Sequence, residues 1–139
     1  MKKLISFKRA AHLATGIFSV LSLFHLGIIV GILFLDFAPV EFLWGGQFET
    51  AEELLQFEIL SFLIMVLCVL IVLVRMQTIA IAALLRTSRI ALWLLTALFL
   101  LNTVGNLLAK TNFEKGFALV TVILAGLCLR MALEPVRKS

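Results

Sequence analysis

The chain has 139 residues, of which 63% are hydrophobic and 14% charged, and its net charge is +4. A soluble domain of this size has too little interior to bury so much apolar surface, so the composition excludes an ordinary soluble fold. It indicates an integral membrane protein instead. The basic residues flank apolar segments and do not form one face. We therefore expect membrane lipids as partners and no nucleic acid.

The first predicted span covers residues 10–35 and ends before Asp36 and Pro39, since proline disfavours helix in the residue before it. Its apolar run is too long for a signal peptide, so we expect it to be retained. Within it, Gly27 and Gly31 form a GxxxG pattern, which lets a second helix approach closely. That helix belongs either to the same bundle or to a second copy in a homo-oligomer.

An acidic, aromatic loop follows, with the sequence FLWGGQFETAEELLQFE at residues 42–58. The Gly45-Gly46 pair suits a two-residue hairpin turn, because both positions of such a turn need positive φ. Trp44 and the neighbouring phenylalanines suit the headgroup level. The loop is interpreted either as an outer lid over a polar vestibule, formed by Trp44, Gly45 and Gly46, or as a connector with no binding role.

The second helix has a clear start signal. Thr50 and Glu53 fit a capping box, which predicts a helix from Ala51 to Arg75. Such a helix is about 37 Å long and should begin outside the hydrocarbon. Its membrane-spanning part is predicted at about residues 55–75.

The third and fourth spans are predicted at residues 90–109 and 116–134. The intervening residues 76–89 fit either an interfacial helix or the first part of helix 3. Arg86 and Arg89 are costly at the bilayer centre, so we place them at its boundary, where long side chains reach the headgroups.

Charge predicts the orientation. Only Lys110 and Lys115 lie on one side of the membrane. The other side has Lys2, Lys3, Lys8, Arg9, Arg75, Arg86, Arg89, Arg130, Arg137 and Lys138. The positive-inside rule puts the second set and both termini in the cytoplasm. The sequence thus predicts a single domain, residues 1–139, that is an all-α transmembrane four-helix bundle with N-in/C-in topology and an acidic outer side.

Four polar residues inside the spans are the candidate site, because burying such groups in lipid is costly. Their depth predicts that His25, Glu58, Asn102 and Asn106 meet in one outward-facing pocket. One interpretation is a site for a cation or small polar ligand, or a protonatable relay of His25 and Glu58. The other is interhelical hydrogen bonding that sets helix register.

The sequence shows no signature of metal binding or nucleophilic catalysis. His12 and His25 point to different faces of one helix, no metal-binding or nucleophile motif is present, and the catalytic residues are unknown. No metal and no cofactor is therefore expected.

Two stretches, FLWGGQFETAEELLQFE and LFLLNTVGNLLAKTNFEKGFALVTVILAGLCLRMALE, resemble small bacterial integral membrane proteins with no known activity. The resemblance implies four spans in a bacterial plasma membrane and assigns no site residues.

The leading functional hypothesis is a non-enzymatic binding, accessory or transport component. Transport would need at least a dimer, because alternating access often uses two repeats. The alternative is a membrane enzyme acting on a lipid, with Glu58 or His25 as acid or base. A third hypothesis is a structural partner of a larger complex.

Overall fold

The computed structural model describes residues 5–136, and in that range the chain folds into four long helices. They are α1 (Phe7–Phe34), α2 (Ala51–Arg75), α3 (Leu84–Leu108) and α4 (Asn112–Ala132). Each helix is long and apolar enough to cross a membrane. The predicted all-α transmembrane four-helix bundle is confirmed, and the protein is a multi-pass membrane protein.

The capping box at the start of α2 is confirmed. The Thr50 hydroxyl accepts a hydrogen bond from the Glu53 N–H at 3.2 Å, and the Glu53 carboxylate accepts one from the Thr50 N–H at 3.4 Å. Helix α4 has a similar start: the Thr111 hydroxyl accepts from the Glu114 N–H at 3.2 Å. This cap begins α4 at Asn112, four residues before the predicted span.

The ambiguous segment between the second and third spans divides at residue 84. Residues 76–83 form turns, and α3 begins at Leu84. Arg86 and Arg89 therefore lie at the start of α3, and no separate interfacial helix precedes it in the described chain.

The helices form two hairpins that meet closely at one end. Helix α1 packs mainly against α2, and α3 packs mainly against α4. The buried core lies in the half of the bundle made by the beginnings of α1 and α3 and the ends of α2 and α4; Phe18, Val72, Leu92, Leu124 and Met131 are fully buried there. We call this the basic half, and the opposite half, which contains the loop of residues 35–50, the acidic half.

Two arginines of the basic half cap the end of α4. Arg75 Nη2 donates to the carbonyl oxygens of Met131 and Glu134, and Arg89 Nε donates to that of Ala132 at 2.8 Å. The last carbonyls of a helix have no partner within the helix, and arginine donors satisfy them. The end of α4 is therefore tied to both α2 and α3.

A third arginine ties α4 to α1. Arg130 donates through Nε to the Ile5 carbonyl and through Nη1 to the Glu134 carboxylate, both at 2.9 Å. The Arg75 guanidinium also lies over the Phe7 ring, 5.4 Å from its centroid. Arg75 and Arg130 are only 6% and 4% exposed, so both act within the protein.

The described arginines of the predicted cytoplasmic side thus lie at one end of the bundle. Four further residues that support the predicted orientation, Lys2, Lys3, Arg137 and Lys138, lie outside the described residues. The orientation itself stays a prediction.

The hairpin predicted around Gly45-Gly46 is wrong. Trp44–Gly46 forms a 3₁₀ turn, and residues 5–136 contain no strand. Both glycines do have positive φ, 70° and 65°. A Cβ added at Gly46 would lie 3.0 Å from the Glu41 carbonyl oxygen, so a side chain there would meet backbone as well as strain.

Local turns explain why no hairpin forms. The Phe42 and Leu43 N–H groups both donate to the Pro39 carbonyl at 3.1 Å. These donors are then unavailable for a strand ladder. The turn points Leu43 inward, where it is buried.

The GxxxG pattern of α1 is covered on one side only. A Cβ added at Gly31 would lie 3.2 Å from the Phe37 ring, so the outer loop, not a second helix, approaches this glycine. Nothing in the described chain lies within 4 Å of a Cβ at Gly27. A homo-oligomer through Gly27 and Gly31 stays a prediction.

Candidate functional site

The acidic half contains a buried carboxylate paired with a histidine. His25 of α1 and Glu58 of α2 each lie about 10–14 Å from the end of their helix in the acidic half, at 1.5 Å per residue. His25 Nδ1 is 2.6 Å from Glu58 Oε2, and their side chains are 15% and 1% exposed. A contact this short between a ring nitrogen and a carboxylate oxygen is a hydrogen bond, in which one of the two atoms is the donor.

The lid tryptophan completes the partners of this carboxylate. Trp44 Nε1 donates to Glu58 Oε1 at 2.9 Å, so both carboxylate oxygens accept or share a hydrogen bond. A buried carboxylate requires such partners. The sequence predicts Trp44 in the lid but not its contact with Glu58. The available signal was that a partly buried indole N–H needs an acceptor.

Aromatic contacts hold the loop against both hairpins. The Trp44 ring lies 5.8 Å from that of Phe57 on α2, and Phe48 lies 4.5 Å from Phe57. On the other side, the Phe42 ring lies 4.9 Å from that of Phe113 on α4. The loop therefore contacts the ends of both α2 and α4 in the acidic half. It covers the space between the hairpins.

A cavity of about 450 Å³ lies beneath this cover, between the two hairpins. All four helices and the loop line it, and this volume lies in the range of small-molecule sites. Its polar lining comprises His25, Trp44, Ser61, Asn102, Asn106, Glu114 and Thr121. The structure thus brings three of the four predicted site residues to one cavity, His25 on one hairpin and the two asparagines on the other, with Glu58 directly behind His25.

The two asparagines have no structural partner in the described chain. Neither the Asn102 nor the Asn106 side chain hydrogen-bonds to any group of residues 5–136. The interhelical bond near them is made instead by Thr103 and Thr121, whose hydroxyl oxygens are 2.9 Å apart. The interpretation of the asparagines as interhelical hydrogen-bonding residues therefore has no contact to support it, and their amides remain free to face the cavity.

The charge around the cavity is one-sided. Glu114 lines it and Glu58 lies behind His25, whereas no lysine or arginine of residues 5–136 lines it. The formal charge of these two acidic side chains makes the surroundings of the cavity acidic. Residues 5–136 hold no group of three or more His, Cys, Asp or Glu side chains suited to a metal ion.

Comparison of the chain with protein families, with curated proteins and with solved structures gives no match. The geometry of the cavity therefore carries the functional argument. The bacterial origin and the plasma membrane implied by the resemblance of the two quoted stretches stay predictions.

Proposed function

We propose that the protein is a non-enzymatic membrane component that binds a small amphipathic molecule in the cavity, with a neutral or cationic polar group. The proposal rests on the side-chain amides of Asn102 and Asn106. They have no hydrogen-bond partner in residues 5–136 and line a largely apolar cavity with acidic side chains around it. The resemblance and the charge pattern further support a bacterial plasma membrane, with the cavity on its outer side.

The apolar walls favour a ligand with a hydrocarbon body. Leu21, Phe24, Met65, Phe99 and Phe117 all line the cavity. Ligand sites are commonly apolar with a few placed polar groups that fix orientation. Here those groups are His25 and the two asparagines, all in the acidic half, so the ligand's polar group belongs in that half.

The charge distribution favours a neutral or cationic polar group. An anion entering the cavity would leave water without meeting a lysine or arginine, and it would approach Glu114. Burying a charge without a partner of opposite sign is strongly unfavourable. A cation meets Glu114 and the His25–Glu58 pair.

The floor of the cavity favours binding over transport. Phe99 and Leu124 line the cavity and also belong to the buried core of the basic half. Within that core, the centroids of the Phe18 and Phe99 rings are 5.7 Å apart. A path through one copy of the chain would have to open this packing.

The test compares dodecylamine with dodecanoate, two amphiphiles of equal chain length and opposite charge. We expect dodecylamine to raise the thermal unfolding midpoint of the protein in lipid nanodiscs and dodecanoate to leave it unchanged. Glu58→Gln keeps the shape but removes the charge, so it should reduce the shift. Glu52→Gln, on the exposed first turn of the same helix, should not. Equal shifts with both amphiphiles, or none, would overturn the proposal.

A second candidate is a membrane enzyme acting on a lipid, and the His25–Glu58 contact of 2.6 Å favours it. A carboxylate that orients an imidazole is a common general-base arrangement. Purified protein should then change the composition of a lipid extract, and His25→Ala should abolish that change. Lipids that remain unchanged with the unsubstituted protein would exclude this candidate.

A further inference from the structure

We infer that the ligand enters the cavity sideways from the membrane, through the seam between α2 and α3, and is therefore a membrane-borne amphiphile. This inference rests on the proposed binding function and names the class of its ligand. The loop and the α1–α4 side close the cavity, whereas the α2–α3 side is open.

The water-facing side is closed by the loop. Leu43 is 7% exposed and lines the cavity from above. Trp44 is held by its hydrogen bond to Glu58, and the Phe42–Phe113 contact joins the loop to α4. To enter, a water-soluble molecule would have to displace Leu43 and break the Trp44–Glu58 and Phe42–Phe113 contacts.

The side between α1 and α4 is closed by aromatic rings. Phe24 and Phe117 lie 6.1 Å apart between ring centroids, and both are half-buried. Together with Leu21 and Val120 they line both the cavity and an apolar groove of about 570 Å³ on the outside of α1 and α4, so they form the wall between the two.

The side between α2 and α3 is open. These two helices contact each other less than the other neighbouring pairs do. The cavity-lining residues there are exposed at the surface of the chain: Ile64 on α2, and Leu98, Leu101, Asn102 and Gly105 on α3. No described residue has an atom within 4 Å of a Cβ placed at Gly105, apart from its own helix and chain neighbours, so the seam is unobstructed there.

This seam lies at the level of the hydrocarbon. Ile64 is within the long apolar run of α2, and Leu98 and Leu101 are within that of α3. Only a molecule already dissolved in the bilayer meets the protein at this depth. Asn102 is the polar group exposed on the seam, where an amide is costly in lipid, so it offers hydrogen bonds to an entering polar group.

The chain's own tryptophans provide the test. It has two, and Trp93→Phe leaves Trp44, which lines the cavity, as the only fluorescent reporter. The first probe is a long-chain alkylamine with a nitroxide next to its amino group, since nitroxides quench indole fluorescence on contact and the amino group is expected beside Trp44. The second is the water-soluble amine amino-TEMPO, which has the same charge and quencher but no hydrocarbon tail. We expect saturable quenching of Trp44 in nanodiscs by the first probe and none by the second at equal concentration.

Two glycines provide a matched pair of variants. Gly105→Leu fills the seam, whereas Gly126→Leu adds the same side chain to an equally open position of α4 that does not line the cavity. We expect Gly105→Leu to slow quenching by the long-chain amine about tenfold, the effect of a modest added barrier. Gly126→Leu should leave the rate unchanged.

The outcomes separate the two proposals. Absence of saturable quenching by either probe would overturn the binding function itself. Saturable quenching by amino-TEMPO, or equal rates in the two leucine variants, would retain binding and overturn entry through the seam.

Discussion

The two halves of the bundle use polar residues in opposite ways. In the basic half, Arg75 and Arg89 donate to carbonyls at the end of α4, and Arg130 donates to the Ile5 carbonyl just before α1. In the acidic half, the Asn102 and Asn106 amides bond to nothing in residues 5–136 and line a cavity. The four helices are thus tightly packed in the basic half and separated by a cavity in the acidic half.

The difference shows how a small bundle combines stability with a binding site. The basic half has both the buried core and the arginine contacts, so it holds the hairpins together. The acidic half is joined by the loop and by the His25–Glu58–Trp44 contacts, which leave space between the hairpins. Stability and binding therefore depend on different residues, and substitutions should separate them.

The largest effect is expected at the basic end. Arg75→Met should lower the free energy of unfolding by about 3 kcal/mol, since it removes hydrogen bonds from a charged donor to buried carbonyls. Denaturation by sodium dodecyl sulfate in mixed micelles measures this. Arg86→Met, an exposed residue at the same end, should stay within about 0.5 kcal/mol. Similar losses in both variants would contradict the structural role of Arg75.

A smaller and local effect is expected at the lid. Trp44→Phe keeps the ring but leaves Glu58 without one donor, which should cost roughly 1–2 kcal/mol. Amide hydrogen exchange should become faster in residues 37–49 and in the acidic half of α2, while the basic half keeps its protection. Trp93→Phe, on the exposed face of α3, is the control. Faster exchange throughout the bundle would show that the halves are not independent.

The smallest stability effect is expected for the cavity amides. Asn102→Leu removes no hydrogen bond of the described chain, so stability should change by less than about 0.5 kcal/mol, while stabilisation by dodecylamine falls. The neighbouring Thr103→Val should show the reverse. It breaks the bond to Thr121, worth about 0.6 kcal/mol between membrane helices, and leaves binding intact. A large stability loss in Asn102→Leu would show that this residue stabilises the packing of the helices.

Local sequence signals predicted the elements well. The capping box of Thr50 and Glu53 marked the start of α2, and Arg75 marked its end, as observed. Four apolar runs of membrane-spanning length predicted four helices. Counting residues from the helix ends also put His25 and Glu58 at one depth. Each of these signals depends on neighbours along the chain, within a turn or a single apolar run.

The tertiary structure alone decided which side chains meet. The rotation of each helix about its axis is set by packing, and it determines that Arg75 turns toward the end of α4 and that Asn102 faces a cavity without a partner. The loop is a second case: glycines at 45 and 46 permit a hairpin, but bonds to Pro39 and burial of Leu43 select a 3₁₀ turn that carries Trp44 to Glu58. The sequence by itself determined the number of helices and both ends of α2, because cap residues and apolar length act locally. Partners between helices arose only on packing, because residues far apart in the chain must then share one surface.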